Sequence, residues 1–222
     1  REWESSRAEV EDRVIQTLGL PVFVKPANLG SSVGISKARD AAEFGPAMDL
    51  AASYDRKLVI ESAVPDAREI ECAVLGNDAP EVSVPGEIVP AAEFYDYKAK
   101  YLRGSEGMET TPREVPANIP EPIAVRIRSM AVAIVEAFGL TGIPRIDFLW
   151  DGADRVLLCE VNSIPGAMGL YLWEAAGVSR AKVLDDLVAE AQRGPLHPAQ
   201  WSASSDGAAL RVANTIAAKL AL

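Results

Sequence analysis

The chain has 222 residues, of which 49% are hydrophobic and 24% are charged, a mix typical of globular domains with buried cores. Its formal net charge of −10 argues against a nucleic-acid partner, because binding to a phosphate backbone depends on positive charge. The two cysteines, Cys72 and Cys159, lie in apolar segments and predict buried free thiols in a reducing compartment. No apolar segment is long enough to span a membrane and the first residues do not resemble a signal peptide, so we expect a cytoplasmic protein.

The predicted elements begin with a helix over residues 6–18, which has apolar side chains four residues apart and ends at Gly19. A strand, a glycine-rich turn and a second strand follow, and then a helix that we expect to be interrupted at Gly45–Pro46. Strands are predicted at 57–62 and 69–77, the second with alternating burial, and an extended segment at 83–90. A long loop is predicted at 92–118, followed by a helix with an apolar stripe from Ile123 to Phe138. The last predicted elements are a hairpin over 145–162 and a helix from Ser179 to Gly194.

Helices and hairpins interspersed in this way predict an α+β fold rather than a parallel sheet of βαβ units. We expect a small lobe over residues 1–66, a larger lobe over 67–200 and a tail with a helix over 201–222. A boundary near residue 66 fits the turn-forming stretch AVPDAR.

The stretch FVKPANLGSSVGISK has the chemistry of an anion-binding loop. Gly30 and Gly34 permit close backbone approach, and Ser31 and Ser32 add hydroxyls beside exposed N–H groups. Lys25 supplies a fixed positive charge. The spacing is not that of a Walker loop, and an ordinary glycine-rich hairpin is the alternative on these residues alone.

Two stretches, RIDF and CEVNSIPG, predict a metal site. Arg145 and Asp147 share one face of a strand, and Glu160 and Asn162 share one face of the next. If the hairpin brings those faces together, Asp147, Glu160 and Asn162 converge as three oxygen donors for a hard cation such as Mg²⁺. Arg145 beside them can bind a phosphate or an oxyanion. The alternative is a pair of half-exposed strands with polar outer faces.

Other candidates are weaker on their residues alone. Lys100 and Tyr101 lie where aromatic and charged residues alternate, which suits either a lid over phosphates or a solvated strand. Glu61 can hold a ribose hydroxyl or simply face water at a strand end. Glu69 can serve a ligand or pair with Arg68.

Together these stretches resemble the ATP-grasp superfamily and, within it, the D-alanine–D-alanine ligase family. The matches follow the family's order and cover roughly residues 20–194. They are VKPANLGSSVGISK, REIECAVLGN, PGEI, EFYDYKAKY, VPANIP, GIPRIDF and EVNSIPG.

The resemblance implies a reaction in the cytoplasm that supplies a peptidoglycan precursor for the cell wall. ATP phosphorylates the carboxylate of one D-alanine, and the amine of a second attacks the acylphosphate, which releases ADP and phosphate. It also implies small amino-acid substrates and allows a homodimer. The residues implied for ATP binding are Lys25, Ser31, Ser32, Glu61, Ser62, Ala63, Glu69 and Lys100. Two Mg²⁺ ions, which Mn²⁺ can replace, would be bound by Asp147, Glu160 and Asn162. The residues implied for catalysis are Arg145, the Gly166 N–H, Lys100, Tyr101 and Ser31.

Two departures from the family pattern leave other functions open. The family carries an N-terminal domain before the glycine-rich loop, whereas only 24 residues precede Lys25, so an N-terminal domain is expected to be missing. The family also follows its PG pair with Thr, Ser and Pro, whereas this sequence reads PGAMGLYLWEAAG. The alternatives are an ATP-grasp dipeptide or amide ligase with a different acceptor, and a non-catalytic nucleotide-binding module.

Overall fold

The structure is a computed structural model that describes residues 2–89, 112–166 and 168–193. The predicted tail at 201–222 lies outside the described residues. The described chain is α+β, as predicted, with a three-stranded and a six-stranded sheet whose paired strands are all antiparallel. None of the helices in the three described ranges has the length and apolar character needed to cross a bilayer.

The helices and strands follow the predicted order closely. In chain order they are α1 (Glu2–Ser5), α2 (Arg7–Leu18), β1 (Val22–Pro26), β2 (Ser36–Ala38), α3 (Ala41–Ala52), β3 (Leu58–Ser62), β4 (Arg68–Leu75), β5 (Glu81–Val82), β6 (Gly86–Ile88), β7 (Arg113–Glu114), α4 (Glu121–Phe138), β8 (Arg145–Trp150), β9 (Val156–Asn162), α5 (Leu170–Ala175) and α6 (Arg180–Arg193).

The first sheet has the strand order β2–β1–β3, so the predicted hairpin of β1 and β2 is confirmed. One face of this sheet packs against α1, α2 and α3 and forms a hydrophobic core. The opposite face is left open for polar side chains. The buried core residues are Trp3, Val10, Val14, Val22, Val24, Ala38, Phe44, Ala47, Met48 and Ala51.

The helix α3 is continuous, so the predicted interruption at Gly45–Pro46 is wrong. Pro46 has no N–H to donate to the carbonyl one turn earlier, which removes one helical hydrogen bond. Burial of Phe44 against the first sheet holds the helix together across this point. Asp40 caps the helix, because its side chain accepts a hydrogen bond of 3.0 Å from the Glu43 N–H.

The second sheet has the order β7–β6–β4–β8–β9, and β5 also pairs with β4. The alternating burial predicted for β4 is wrong, because every residue from Ile70 to Leu75 is buried. Ile70 and Cys72 face the α4 side, whereas Ala73 and Leu75 pack with α5 and α6. A central strand covered on both faces has no solvent-facing side, which removes the alternation.

The helix α4 ends as predicted at Gly139, which has a left-handed φ of 60°. Its buried face alternates alanines with branched apolar side chains and packs against the second sheet. Phe138 is 64% exposed, so the apolar stripe ends one turn earlier than its spacing predicts. The buried residues are Ala124, Ile127, Ala131 and Val135.

The two cysteines are free, but only Cys72 is buried as predicted. Cys159 is exposed because it lies on β9, the edge strand of the second sheet. Residues 63–67 join the two sheets, and the predicted boundary near residue 66 falls in this connection. The division into two lobes stays a prediction.

Candidate functional site

Lys25 and Glu61 lie together on the open face of the first sheet. Phe23 opposes Glu61 in the strand register, and Lys25 shares the face of Phe23 because it follows two residues later. The Lys25 ammonium and the Glu61 carboxylate form an ion pair. The structure therefore brings together the two side chains that the sequence assigned to the phosphates and the ribose of a nucleotide.

Ser62 and Ala63 are not joined to this pair through their side chains. The Ser62 hydroxyl donates a hydrogen bond of 3.1 Å to the Leu18 carbonyl, because Ser62 opposes Val22 on the packed face of the sheet. The Ala63 N–H donates to the Pro21 carbonyl at 2.9 Å. A nucleotide contact from Ser62 would therefore have to use its backbone.

The loop between β1 and β2 is shaped by two serines with left-handed backbone. Ser31 and Ser32 have φ values of 57° and 59°, which are uncommon for residues with a Cβ atom. The Val33 N–H donates to the Gly30 carbonyl at 3.2 Å, which closes a tight turn. Turns of this type group backbone N–H donors into concave anion sites, which suits the phosphate role predicted for this loop.

Only one of the two loop glycines is sterically required. An added Cβ at Gly34 would lie 2.7 Å from the Tyr54 ring and 2.9 Å from the Pro26 side chain, and Gly34 has a φ of 72°. At Gly30 nothing lies within 4 Å of an added Cβ. Contacts within the protein therefore require a glycine at Gly34 but not at Gly30, and close approach of Gly30 to a bound anion stays a prediction.

Asp55 anchors the start of the loop, a role that the sequence analysis missed. Its carboxylate accepts hydrogen bonds from the Asn28 backbone N–H at 2.8 Å and from the Asn28 side-chain amide at 2.7 Å. Hydrogen bonds from the backbone N–H of Lys57 and from Asn28 lower the pKa of Asp55. The signal was its position in the turn SYDRK, where a short carboxylate commonly accepts backbone hydrogen bonds.

The second sheet carries the predicted metal ligands in direct register. Arg145 opposes Asn162, and Asp147 opposes Glu160. Directly opposed residues share a face, so the predicted convergence of these side chains on one face is confirmed. The Arg145 guanidinium donates two hydrogen bonds to Asp147, at 2.7 and 2.6 Å. The role of these oxygens as metal ligands stays a prediction.

A β-bulge next to Glu160 changes the course of β9. Asp147 opposes Glu160 but Phe148 opposes Leu158, so Cys159 is an additional residue in the strand. The hairpin prediction did not include this bulge. It sits beside the predicted metal ligands and sets the direction of the neighbouring side chains.

Charged side chains of both sheets act on Cys159, and we call the polar side of the two sheets around this residue the cleft. Although the residue is accessible, the surrounding protein desolvates the thiol and raises its pKa to about 11. The charges that act on it come from Lys25 and Glu61 of the first sheet and from Glu69 and Asp147 of the second. Candidate ligands of both sheets therefore influence the same thiol.

Comparison with known proteins decides which family has this arrangement. The model of the D-ala D-ala ligase C-terminus family matches residues 1–189. The chain belongs to this family. The D-alanine–D-alanine ligase of Thermoanaerobacter sp. (strain X514) is 47% identical over 190 residues, which are 81% of this chain and 52% of that protein. The chain thus spans about half the length of the curated relatives it matches.

Solved structures give the same result. The VanG D-Ala:D-Ser ligase from Enterococcus faecalis is 30% identical with a TM-score of 0.70, over 82% of this chain and 53% of that one. The D-alanine–D-alanine ligase from Coxiella burnetii is also 30% identical with a TM-score of 0.70, over 84% of this chain and 49% of that one. The fold is therefore ATP-grasp.

The donor set in this D-ala D-ala ligase domain suits a magnesium ion. Within residues 2–89, 112–166 and 168–193, no group of three or more His, Cys, Asp or Glu side chains forms a metal cage. Asp147 and Glu160 provide two carboxylates and Asn162 an amide oxygen on the same face. Mg²⁺ is commonly held by one or two carboxylates together with phosphate oxygens of a nucleotide, so the residues fit this ion.

Of the remaining predicted residues, the structure describes Glu69 and Gly166 but not Lys100 and Tyr101. Glu69 is exposed and lies on the cleft face of β4, opposite Leu149. Gly166 is exposed in the segment that follows β9. Lys100 and Tyr101 lie outside the described residues.

A buried charge cluster behind Arg145 was also missed by the sequence analysis. Glu71 opposes Asp147 across the strands and is 1% exposed. Burial raises the pKa of Glu71, while Arg145 opposes this change. Burial disfavours the charge on Arg145, but its hydrogen bonds to Asp147 together with the negative charges of Asp147 and Glu71 outweigh this and raise the pKa of the guanidinium. The signal was a second glutamate two residues after Glu69, on the same face of an apolar strand.

Proposed function

We propose that this chain is the nucleotide- and metal-binding part of an ATP-dependent D-alanine–D-alanine ligase. The observation that carries the proposal is the strand register that places Arg145, Asp147, Glu160 and Asn162 on one face of the second sheet. The ion pair of Lys25 and Glu61 on the first sheet supports it. Family membership supplies the reaction class. In this reaction D-alanine is joined to a second D-alanine in the cytoplasm, and the dipeptide serves cell-wall synthesis.

On this proposal the open face of the first sheet binds the triphosphate. Lys25 leaves its ion pair with Glu61 to bind phosphate oxygens, and Glu61 becomes free to accept hydrogen bonds from the ribose. The N–H groups and hydroxyls of Ser31 and Ser32 cover the phosphates, and Lys100 adds a second positive charge. Positive charge and N–H donors are what phosphoryl transfer requires, because charge spreads over the phosphate oxygens in the transition state.

The second sheet holds the metal and the reacting carboxylate. Asp147, Glu160 and Asn162 would hold two Mg²⁺ ions, and the Glu69 carboxylate lines the nucleotide pocket. Bound Mg²⁺ supplies positive charge that neutralises the phosphates. Arg145 and the Gly166 N–H donate hydrogen bonds to the tetrahedral oxyanion that forms when the amine attacks the acylphosphate. The family resemblance adds Tyr101 to the catalytic residues.

A second candidate is a ligase of the same family with another acceptor. The segment PGAMGLYLWEAAG lacks the Thr, Ser and Pro that the family places after its PG pair. The similarity to a D-Ala:D-Ser ligase structure also makes D-serine a reasonable acceptor to test. A non-catalytic module differs from both ligases because it would bind nucleotide without turnover.

The test measures phosphate release from ATP by the intact gene product with D-alanine, D-serine or D-lactate as acceptor. We expect release that requires Mg²⁺ and D-alanine, and the dipeptide is identified by mass spectrometry. Faster release with D-serine or D-lactate would favour the second candidate. Nucleotide binding without any amino-acid-dependent release would reject both ligases. Size-exclusion chromatography with light scattering tests whether the protein is a homodimer.

A further inference from the structure

Glu71 is an unusual residue for its position. It lies in the middle of β4, flanked by Ile70 and Cys72, and its side chain is 1% exposed. A carboxylate in such surroundings is costly unless charged or hydrogen-bonding partners compensate it. None of the ATP or metal contacts proposed above uses Glu71, so its partners must explain its presence.

One oxygen of Glu71 faces the guanidinium of Arg145. The Arg145 Nε lies 3.4 Å from Glu71 Oε2, while the same guanidinium donates two hydrogen bonds to Asp147. Arg145 therefore lies between two carboxylates of adjacent strands. A guanidinium held on two sides has little freedom to turn away from the cleft.

The other oxygen of Glu71 reaches a different part of the site. The Tyr171 hydroxyl donates a hydrogen bond of 2.6 Å to Glu71 Oε1. Arg113 lies over the Tyr171 ring at 4.8 Å, and its Nε is 3.7 Å from the same carboxylate oxygen. Tyr171 belongs to the first turn of α5, which begins four residues after Gly166.

Packing reinforces this attachment of α5. At Gly86 an added Cβ would lie 2.6 Å from a methyl group of Leu172 and 3.2 Å from Val115. The absence of a side chain at Gly86 thus lets α5 approach the sheet beside Glu71. The segment that carries Gly166 is held at its far end by both a hydrogen bond and close packing.

We propose that Glu71 is a positioning residue that holds the Arg145 guanidinium and, through Tyr171, the segment that carries Gly166. The inference rests on the proposed function, in which Arg145 and the Gly166 N–H bind the same oxyanion. One buried carboxylate would then fix the relative position of the two donors, which come from different elements. Fixed donors are effective because they need no reorganisation when charge develops.

The chain offers a matched control in Glu87. Glu87 is also buried, and it pairs with Arg68 in the same sheet. It opposes Ile70, so its side chain lies on the α4 side of the sheet and away from the cleft. A purely structural role for Glu71 predicts that Glu71→Gln and Glu87→Gln behave alike.

The kinetic test uses the intact gene product. Glu71→Gln keeps an oxygen for Tyr171 but removes the charge that faces Arg145, and we expect kcat to fall up to about a hundredfold with little change in KM for ATP. Tyr171→Phe removes only the hydroxyl, and we expect kcat to fall about tenfold. Glu87→Gln should leave both constants unchanged. Equal losses in Glu71→Gln and Glu87→Gln, or a kcat unaffected by both cleft variants, would overturn the proposal.

A second readout does not depend on turnover. In the ¹⁵N-labelled chain, the Nε–Hε signals of Arg145 and Arg68 can be assigned with Arg145→Lys and Arg68→Lys. We expect Glu71→Gln to shift or broaden the Arg145 signal alone, and Glu87→Gln to affect the Arg68 signal alone. An unmoved Arg145 signal in Glu71→Gln would overturn the positioning role. If the unaltered protein shows no amino-acid-dependent phosphate release, the proposed function fails, and this signal alone decides the role of Glu71.

Discussion

The two sheets each present an ion pair to the cleft, but the pairs differ in their surroundings. Lys25 and Glu61 lie on an open face, where the Glu61 side chain is 46% exposed. Arg145 and Asp147 are each 18% exposed, and Arg145 also contacts the buried Glu71. The comparison indicates that the first sheet contributes charges that are free to exchange partners, whereas the second holds its charges as part of the fold.

The largest effect should follow from removing the buried cation. Arg145→Met leaves Asp147 without its hydrogen-bonded cation and leaves Glu71 with the more distant Arg113 as its positive neighbour. Breaking a buried ion pair in this way typically costs about 3–5 kcal/mol of the free energy of unfolding. Urea denaturation followed by circular dichroism measures the free energy of unfolding. A loss below about 1 kcal/mol would show that the Arg145–Asp147 pair contributes no more than an exposed ion pair.

A smaller effect is expected in the loop of the first sheet. Gly34→Ala forces a Cβ against Tyr54 and Pro26, and overpacking of this kind costs about 1–3 kcal/mol. It should also weaken binding of an ATP analogue, because the loop must shift. Gly30→Ala is the matched control, with space for its methyl group. If the two variants bind the analogue equally, the conformation of this loop does not matter for nucleotide binding.

Lys25→Met should separate binding from stability. The exposed partner Glu61 remains solvated, so we expect the free energy of unfolding to change by less than about 1 kcal/mol. The affinity for the Mg²⁺ complex of an ATP analogue should fall about tenfold or more, because a charged hydrogen bond contributes about 1.5–3 kcal/mol. Calorimetric titration gives the affinity. A large loss of stability with unchanged affinity would show that the Lys25–Glu61 pair supports the fold rather than nucleotide binding.

The mildest test modifies the cleft without changing its charges. The raised pKa of Cys159, about 11, means that the fraction of reactive thiolate rises about tenfold per pH unit up to that value. Maleimide labelling should therefore be slow at neutral pH, accelerate with rising pH and slow again when the Mg²⁺ complex of an ATP analogue is present. Buried Cys72 should not react, and Cys159→Ser is the control. If the nucleotide does not slow the labelling, Cys159 does not lie beside the nucleotide site.

Much of this arrangement could be predicted from the sequence because period-2 patterns determine which side chains share a strand face. Arg145, Asp147, Glu160 and Asn162 converge as that pattern indicated. The same rule did not reveal the bulge at Cys159, since an additional residue in a strand depends on pairing with its neighbour.

Long-range burial accounts for most of the remaining differences. The sequence of β4 gives no indication that helices cover both of its faces, so it does not predict that Glu71 is buried. Its hydrogen bond to Tyr171 joins residues that are 100 positions apart. The family resemblance implies a nucleotide contact for Ser62, but its hydroxyl donates a hydrogen bond to the Leu18 carbonyl on the packed side of the sheet.

The most direct measurement is calorimetric titration of the 222-residue chain with a non-hydrolysable ATP analogue, with and without Mg²⁺. Glu160→Ala is the matched variant, because Glu160 is on an edge strand and its removal should leave the fold intact by circular dichroism. We predict Mg²⁺-dependent binding by the unaltered chain and none by Glu160→Ala. Equal Mg²⁺-dependent affinity in both proteins would contradict the assignment of Asp147, Glu160 and Asn162 as the metal site.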